Sequence, residues 1–156
     1  EHASLYCAEI GVLISGDMVL PKISPHIGVY PAEPEANPLK LFLGSLDSFR
    51  HLPTDTLVLP SHGDPFVGLH TRLDQLVAHH DQRLAALRAF CAEPRTALDT
   101  VPVLFKRQLD LKHTFMAIGE ALAHLHYLVA DGSLQRVTGP DGVDRYRRTA
   151  INADAA

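Results

Sequence analysis

Two stretches of this sequence carry an apolar run onto a side chain that can bind a cation. The first is Val12-Leu13-Ile14-Ser15-Gly16-Asp17, where a small Ser-Gly corner delivers one carboxylate. The second is Leu57-Val58-Leu59-Pro60-Ser61-His62-Gly63-Asp64-Pro65, which delivers an imidazole between turn-forming residues. A carboxylate at the end of a buried strand is costly unless a cation, a metal or backbone N–H groups pair with it. Taken alone, Asp17 reads first as the cap of the turn into Met18-Val19-Leu20, since Asp commonly satisfies free N–H groups after a strand. The second stretch shifts the balance. Two strand ends bearing Asp and His make half of a metal site.

The elements that must position these residues follow from periodicity and punctuation. Residues 3–9 alternate in the manner of a strand, Glu9-Ile10-Gly11 is a tight turn, and residues 12–15 form the return strand of a hairpin. Five prolines (21, 25, 31, 34 and 38) exclude a regular helix between residues 21 and 38 and leave a long loop of the kind that often carries function. Asn37-Pro38 opens a helix whose stripe is Leu39, Phe42, Leu43, Leu46 and Phe49. A strand is predicted over 56–59 and a long amphipathic helix over 69–92, stopped by Pro94. From Thr96 the pattern changes. Thr96 and Asp99 form a capping-box opening, but Pro102 predicts that this helix becomes regular only around 103–107. A clearer helix bears Ile118, Ala121, Leu122, Leu125, Leu128 and Val129, with Gly132 as its C-terminal glycine. Residues 134–137 and 143–147 read as two short strands around a Gly-Pro-Asp-Gly turn. Two helices followed by a hairpin make a winged-helix arrangement.

The chain has 156 residues, 46% of them hydrophobic, enough for one domain or for a small domain with part of another. The formal charge of −4 argues against an electrostatic nucleic-acid footprint. No apolar run is long enough to span a bilayer and no signal peptide is visible, so no membrane role is expected. Cys7 and Cys91 have no framework spacing and read as reduced thiols of a cytoplasmic protein. The opening on Glu1-His2, directly before a strand, reads as the interior of a longer polypeptide.

In this order, with each motif closing a strand, the residues resemble the C-terminal part of a metallo-β-lactamase-superfamily hydrolase. The resemblance is to the branch with a winged-helix tail, the β-lactamase-like protein 2 type. It is carried by His2-Ala3-Ser4-Leu5, the hairpin into Ser15-Gly16-Asp17, the strand into Leu59-Pro60-Ser61-His62-Gly63, the long following helix and the tail. It implies an α/β fold: the C-terminal half of an αββα sandwich over residues 1–93, a small winged-helix domain over 94–150, and a flexible C-terminus at 151–156. It also implies that Asp17 bridges two metal ions and that His62 binds the second. Zinc is expected, with manganese or iron as alternatives. A carboxylate has two oxygens for two cations, and a neutral imidazole suits a borderline-soft metal. The implied activity is metal-dependent hydrolysis of an ester, thioester, lactone or phosphodiester, with metal-activated hydroxide as nucleophile.

The family's His-x-His-x-Asp-His motif has no match in this sequence, and His79-His80 lacks both its Asp and its strand-end context. His2 lies near the expected position of a further ligand, but that ligand precedes such a histidine by a few residues. The chain alone is therefore expected to be inactive, its remaining ligands lying on an upstream half. His26, in the proline-rich loop, is a candidate for the substrate pocket. Asp64 either orients His62 or caps its turn. His80 falls on the apolar stripe of the long helix and reads as a core or interface histidine. His124 and His126, two residues apart, point to different faces and cannot share a metal. Ser15 lacks the Gly-x-Ser-x-Gly elbow of serine hydrolases.

The expected partner is a small-molecule substrate. One rival is a single-strand-specific ribonuclease of the same fold, guided by a tail whose arginines 136, 145, 147 and 148 cluster on the wing. From Thr96 to Ala150, however, seven Lys and Arg face six Asp and Glu, so nucleic acid is not favoured. The other rival is a non-catalytic interaction fragment, a homodimer through the 69–92 helix.

Overall fold

The computed structural model describes residues 3–149; His2 and the 151–156 segment lie outside the described residues. The protein is mixed α/β, with four helices and two small sheets among the described residues. It divides into two compact units. One holds the described residues up to His26 together with Leu43–His79, and the other holds Ile27–Phe42 and the described residues from His80 onward.

The first unit is built on a three-stranded sheet. Strand β1 (Leu5–Cys7) pairs antiparallel with β2 (Val12–Gly16), and β2 pairs in parallel with β3 (Leu57–Pro60). A parallel pair needs a long crossover, and the connection from Asp17 to Thr56 supplies it. It contains helix α1 (Pro38–Leu46) and a 3₁₀ turn at Asp47–Phe49. Asn37 caps α1 by accepting the Lys40 N–H on its side-chain oxygen at 3.2 Å, and Pro38 takes the first helical position, where its missing N–H costs nothing. On the sheet, Leu13, Ser15 and Val58 are buried, while Leu5, Ile14 and Leu57 are exposed on alternate positions. Both faces are therefore apolar.

Helix α2 (Leu69–Phe90) contributes to both units. Leu69, Leu73, Leu76, His80, Leu84 and Leu87 are all buried, as the three-to-four spacing predicts.

In the second unit, helix α3 (Ala97–Leu104) opens with the reciprocal Thr96/Asp99 capping box. Here the sequence expectation is corrected: the regular helix runs from Ala97 to Leu104 and includes Pro102, and no helix follows over 105–110. The capping box fixes the first turn, and Thr100, Val101 and Leu104 are buried, which offsets the one hydrogen bond that Pro102 cannot donate. Helix α4 (Leu111–Ala130) starts earlier than expected, because Asp110 accepts the His113 N–H at 2.8 Å. It buries Ala117, Ala121, Ala123, Leu125 and Leu128. Gly119 lets a backbone approach closely: the Val29 N–H donates to its carbonyl at 3.0 Å, and a Cβ there would lie 2.9 Å from the Val29 carbonyl oxygen.

Strands β4 (Leu134–Thr138) and β5 (Asp144–Arg148) form an antiparallel hairpin. α3 packs on α4 and on β5, and α4 packs on β4. β5 is also tied to the chain after α2, since Arg95 and Tyr146 exchange backbone bonds of 3.0 and 2.8 Å.

His80 and His124 form a buried pair in this unit, with His80 Nδ1 3.1 Å from His124 Nε2. His124 Nδ1 lies 2.8 Å from the Glu120 carbonyl and must donate to it, so in its neutral form Nε2 accepts the His80 Nδ1 proton. His126, on another face, places Nδ1 2.9 Å from the Ala36 carbonyl. His124 and His126 are thus engaged within this unit, while His113 lies exposed beside Asp110.

Candidate metal centre

The site begins with strand order. Because β2 and β3 run in parallel as neighbours, their C-terminal ends lie side by side, with Gly16 opposite Pro60. A register shift between Ile14 and Gly16 bends the end of β2, and the Ser61 N–H donates to the Gly16 carbonyl at 3.1 Å. The next residues, Asp17 and His62, therefore leave the sheet on the same edge. Nε2 of His62 lies 3.6 Å from Oδ1 of Asp17, and the Ser61 hydroxyl donates to that same oxygen. The two side chains are 69% and 40% exposed, so an ion can reach them from solvent.

Both turns are held from behind. After Asp17, the Met18 N–H donates to the Ser15 carbonyl at 3.1 Å, and the buried Ser15 hydroxyl donates to the Val19 carbonyl at 2.9 Å. The turn into Met18 is thus closed by Ser15, and the Asp17 carboxylate takes its hydrogen bond from Ser61. The loop bearing His62 is closed at its base by two backbone bonds between Val58 and Phe66, of 2.8 and 3.0 Å. At its tip, Gly63 has φ +85°, and a Cβ there would lie 2.7 Å from the Pro21 ring. Only glycine meets both conditions.

The donor set can be tested against a metal. With ligand bonds of about 2.1 Å and tetrahedral angles, two donors on one zinc sit about 3.4 Å apart. The observed 3.6 Å is close to that edge. The pair is a carboxylate oxygen and an imidazole nitrogen, a donor set that zinc, manganese and iron all accept. It is two ligands and no more: among the described residues, no group of three or more His, Cys, Asp or Glu side chains is placed to hold a metal.

Of the other candidates, Asp64 lies exposed in the His62 loop and His26 lies half-buried in the segment after β2. His80 belongs to the second unit, bonded to His124. Ser61 was not singled out by the sequence. The signal available was its place directly after the second strand, which becomes informative once the parallel pairing is known.

Residues 84–149 match the family model described as metallo-beta-lactamase-like, C-terminal domain. The chain is 53% identical to a solved beta-lactamase domain protein from Burkholderia ambifaria, covering 95% of this chain and 44% of that one, with a TM-score of 0.92. It is 39% identical to a solved metallo-beta-lactamase family protein from Thermus thermophilus, covering 95% of this chain and 45% of that one, with a TM-score of 0.81. Comparison with the curated proteins gives no match. The fold is that of a metallo-beta-lactamase-like C-terminal part. At the level of the superfamily, the chain belongs with the metallo-beta-lactamase-like proteins. It spans less than half the length of the two solved relatives.

Proposed function

We propose that this chain is the C-terminal part of a metal-dependent hydrolase and supplies two ligands to its metal centre. The observation that carries this reading is the placing of Asp17 Oδ1 and His62 Nε2 3.6 Å apart at the ends of neighbouring parallel strands. Relatives of this superfamily are generally hydrolases and typically bind metal ions such as zinc, which supports the assignment. Asp17 would bridge two ions through its two oxygens, and His62 would hold the second through Nε2. When bound, such ions activate water and polarise the electrophilic oxygen of an ester, thioester, lactone or phosphodiester. The chain's own residues fix where this happens. Ser61 orients the Asp17 carboxylate, and the Gly63 turn brings His62 to the same edge as Asp17.

The remaining ligands would lie on an upstream segment of the parent polypeptide, consistent with the share of the relatives that this chain spans. The sheet supports the same reading. Leu5, Ile14 and Leu57 leave its second face apolar, as in a layer covered on both sides within an αββα sandwich. The α3–α4–β4–β5 order supports a winged-helix tail. The ribonuclease alternative is weakened by the wing itself. Arg136 forms a bidentate pair with Glu35 at 3.0 and 2.8 Å, and Arg145 pairs with Asp141 at 2.9 and 2.8 Å. Those cations are already engaged.

Metal analysis tests the proposal. This chain joined to its upstream segment is expected to retain zinc, manganese or iron, and to lose most of it with Asp17→Ala. A joined protein that holds none of the three metals would refute the hydrolase reading. Tight binding of two ions by this chain alone would refute the view that most ligands lie elsewhere.

A further inference from the structure

Arg72, near the start of α2, has an unusual set of acceptors. Its Nε donates to the Leu20 carbonyl at 2.5 Å and its Nη2 to the Ile23 carbonyl at 2.9 Å, while Nη1 reaches Gln75 Oε1 at 3.2 Å. The guanidinium is half-buried, and burial pulls its pKa down from the ordinary arginine value. Burying a cation costs free energy unless its donors are satisfied, and here two backbone carbonyls three residues apart meet that need. Between those carbonyls lies Pro21, the ring against which Gly63 packs. The segment that Arg72 holds therefore joins the turn carrying Asp17 to the turn carrying His62, and all of these residues belong to the first unit.

We propose that Arg72 is a positioning residue for the metal centre: by pinning residues 20–23 it seats Pro21 against Gly63 and so fixes the spacing between Asp17 and His62. The proposal rests on the reading of those two residues as metal ligands. Arginine is suited to the task because Nε and Nη2 lie in one rigid plane and engage two carbonyls together. A lysine ammonium is a compact point charge on a flexible stem and lacks that planar fork. Outer contacts that orient ligands typically change metal affinity 10- to 100-fold.

The test uses the 156-residue chain and its Arg72→Met, Arg72→Lys and Gly63→Ala variants. Zinc is titrated while the His62 ring nitrogens are followed by NMR. Amide exchange of Met18 and Ser61 is measured without metal. Arg72→Met is expected to weaken the zinc response about tenfold or more. It should also speed exchange at Met18 and Ser61 ahead of the rest of the first unit. Arg72→Lys is expected to restore part of both effects. Gly63→Ala should weaken zinc similarly with Arg72 intact, since it disturbs the same seam from the other side. An unchanged zinc response in Arg72→Met overturns the proposal. So does faster exchange spread evenly over the unit, which would mark a purely structural residue. If zinc leaves His62 unmoved in the unsubstituted chain, the ligand reading itself has failed and this proposal falls with it. Exchange at Met18 and Ser61 still reports separately whether the clamp exists.

Discussion

The carboxylate of Asp17 receives the Ser61 hydroxyl on the oxygen that faces His62. This contact gives Ser61 a measurable role. Ser61→Ala should leave both candidate ligands in place but free the carboxylate to rotate, weakening zinc binding about tenfold. Unaltered affinity in that variant would show that Ser61 does not orient Asp17. The two thiols differ as sharply. Cys7 is exposed, whereas burial pushes the Cys91 thiol up to about 11. At pH 8 only about one Cys91 in a thousand is thiolate, and only the thiolate attacks. Iodoacetamide at pH 8 should therefore modify Cys7 quickly and Cys91 only on unfolding; two equally fast thiols would contradict the fold around Cys91. At this scale the sequence was informative where chemistry and turn residues coincide. Asp17 and His62 stand out because Gly and Pro punctuate an apolar run beside them. Ser61 and Arg72 do not, because their roles depend on partners 44 and 49 to 52 positions away.

Elements account for the pH response. The Thr96 backbone N–H holds the Asp99 carboxyl below the usual carboxylate range, and the His113 backbone N–H does the same for Asp110. Their folded pKa values are depressed, so the stabilisation they give is present above the ordinary carboxylate range and lost as pH falls through the folded values. Acid should thus fray the N-termini of α3 and α4 first, and amide exchange at Thr96 and His113 would reveal it. At the alkaline end the sign reverses. Burial raises both Cys91 and Tyr146, so the unfolded chain ionises first and stability falls as pH rises from about 9. Close packing sets a further limit. Gly119→Ala would force Cβ into the Val29 carbonyl and should destabilise the protein by about 1–3 kcal/mol, read from denaturant midpoints. No change would mean that the 28–29 segment moves aside freely. Helices and strands were legible in the sequence wherever periodicity ran beyond two turns, as in α2. The α3 boundary was not, because a local rule about Pro102 was outweighed by the Thr96 cap and by burial of Val101 and Leu104.

Across the whole molecule, charge and length constrain function more than any one contact does. With a formal charge of −4 and two of its four wing arginines, Arg136 and Arg145, engaged by Glu35 and Asp141, the chain should not shift labelled single-stranded RNA at low salt. A salt-sensitive shift would revive the ribonuclease reading. No helix among the described residues is long and apolar enough to cross a membrane. The similarity to longer metallo-beta-lactamase-like proteins fits a sheet with two apolar faces. The claim on which this account depends is that Asp17 and His62 act on one ion. The direct measurement is a zinc titration of the 156-residue chain with ring-nitrogen NMR of its ten histidines. The account predicts a weak response led by His62 Nε2 and abolished by Asp17→Ala. A response led by other histidines, or one at His62 that survives Asp17→Ala, would contradict it.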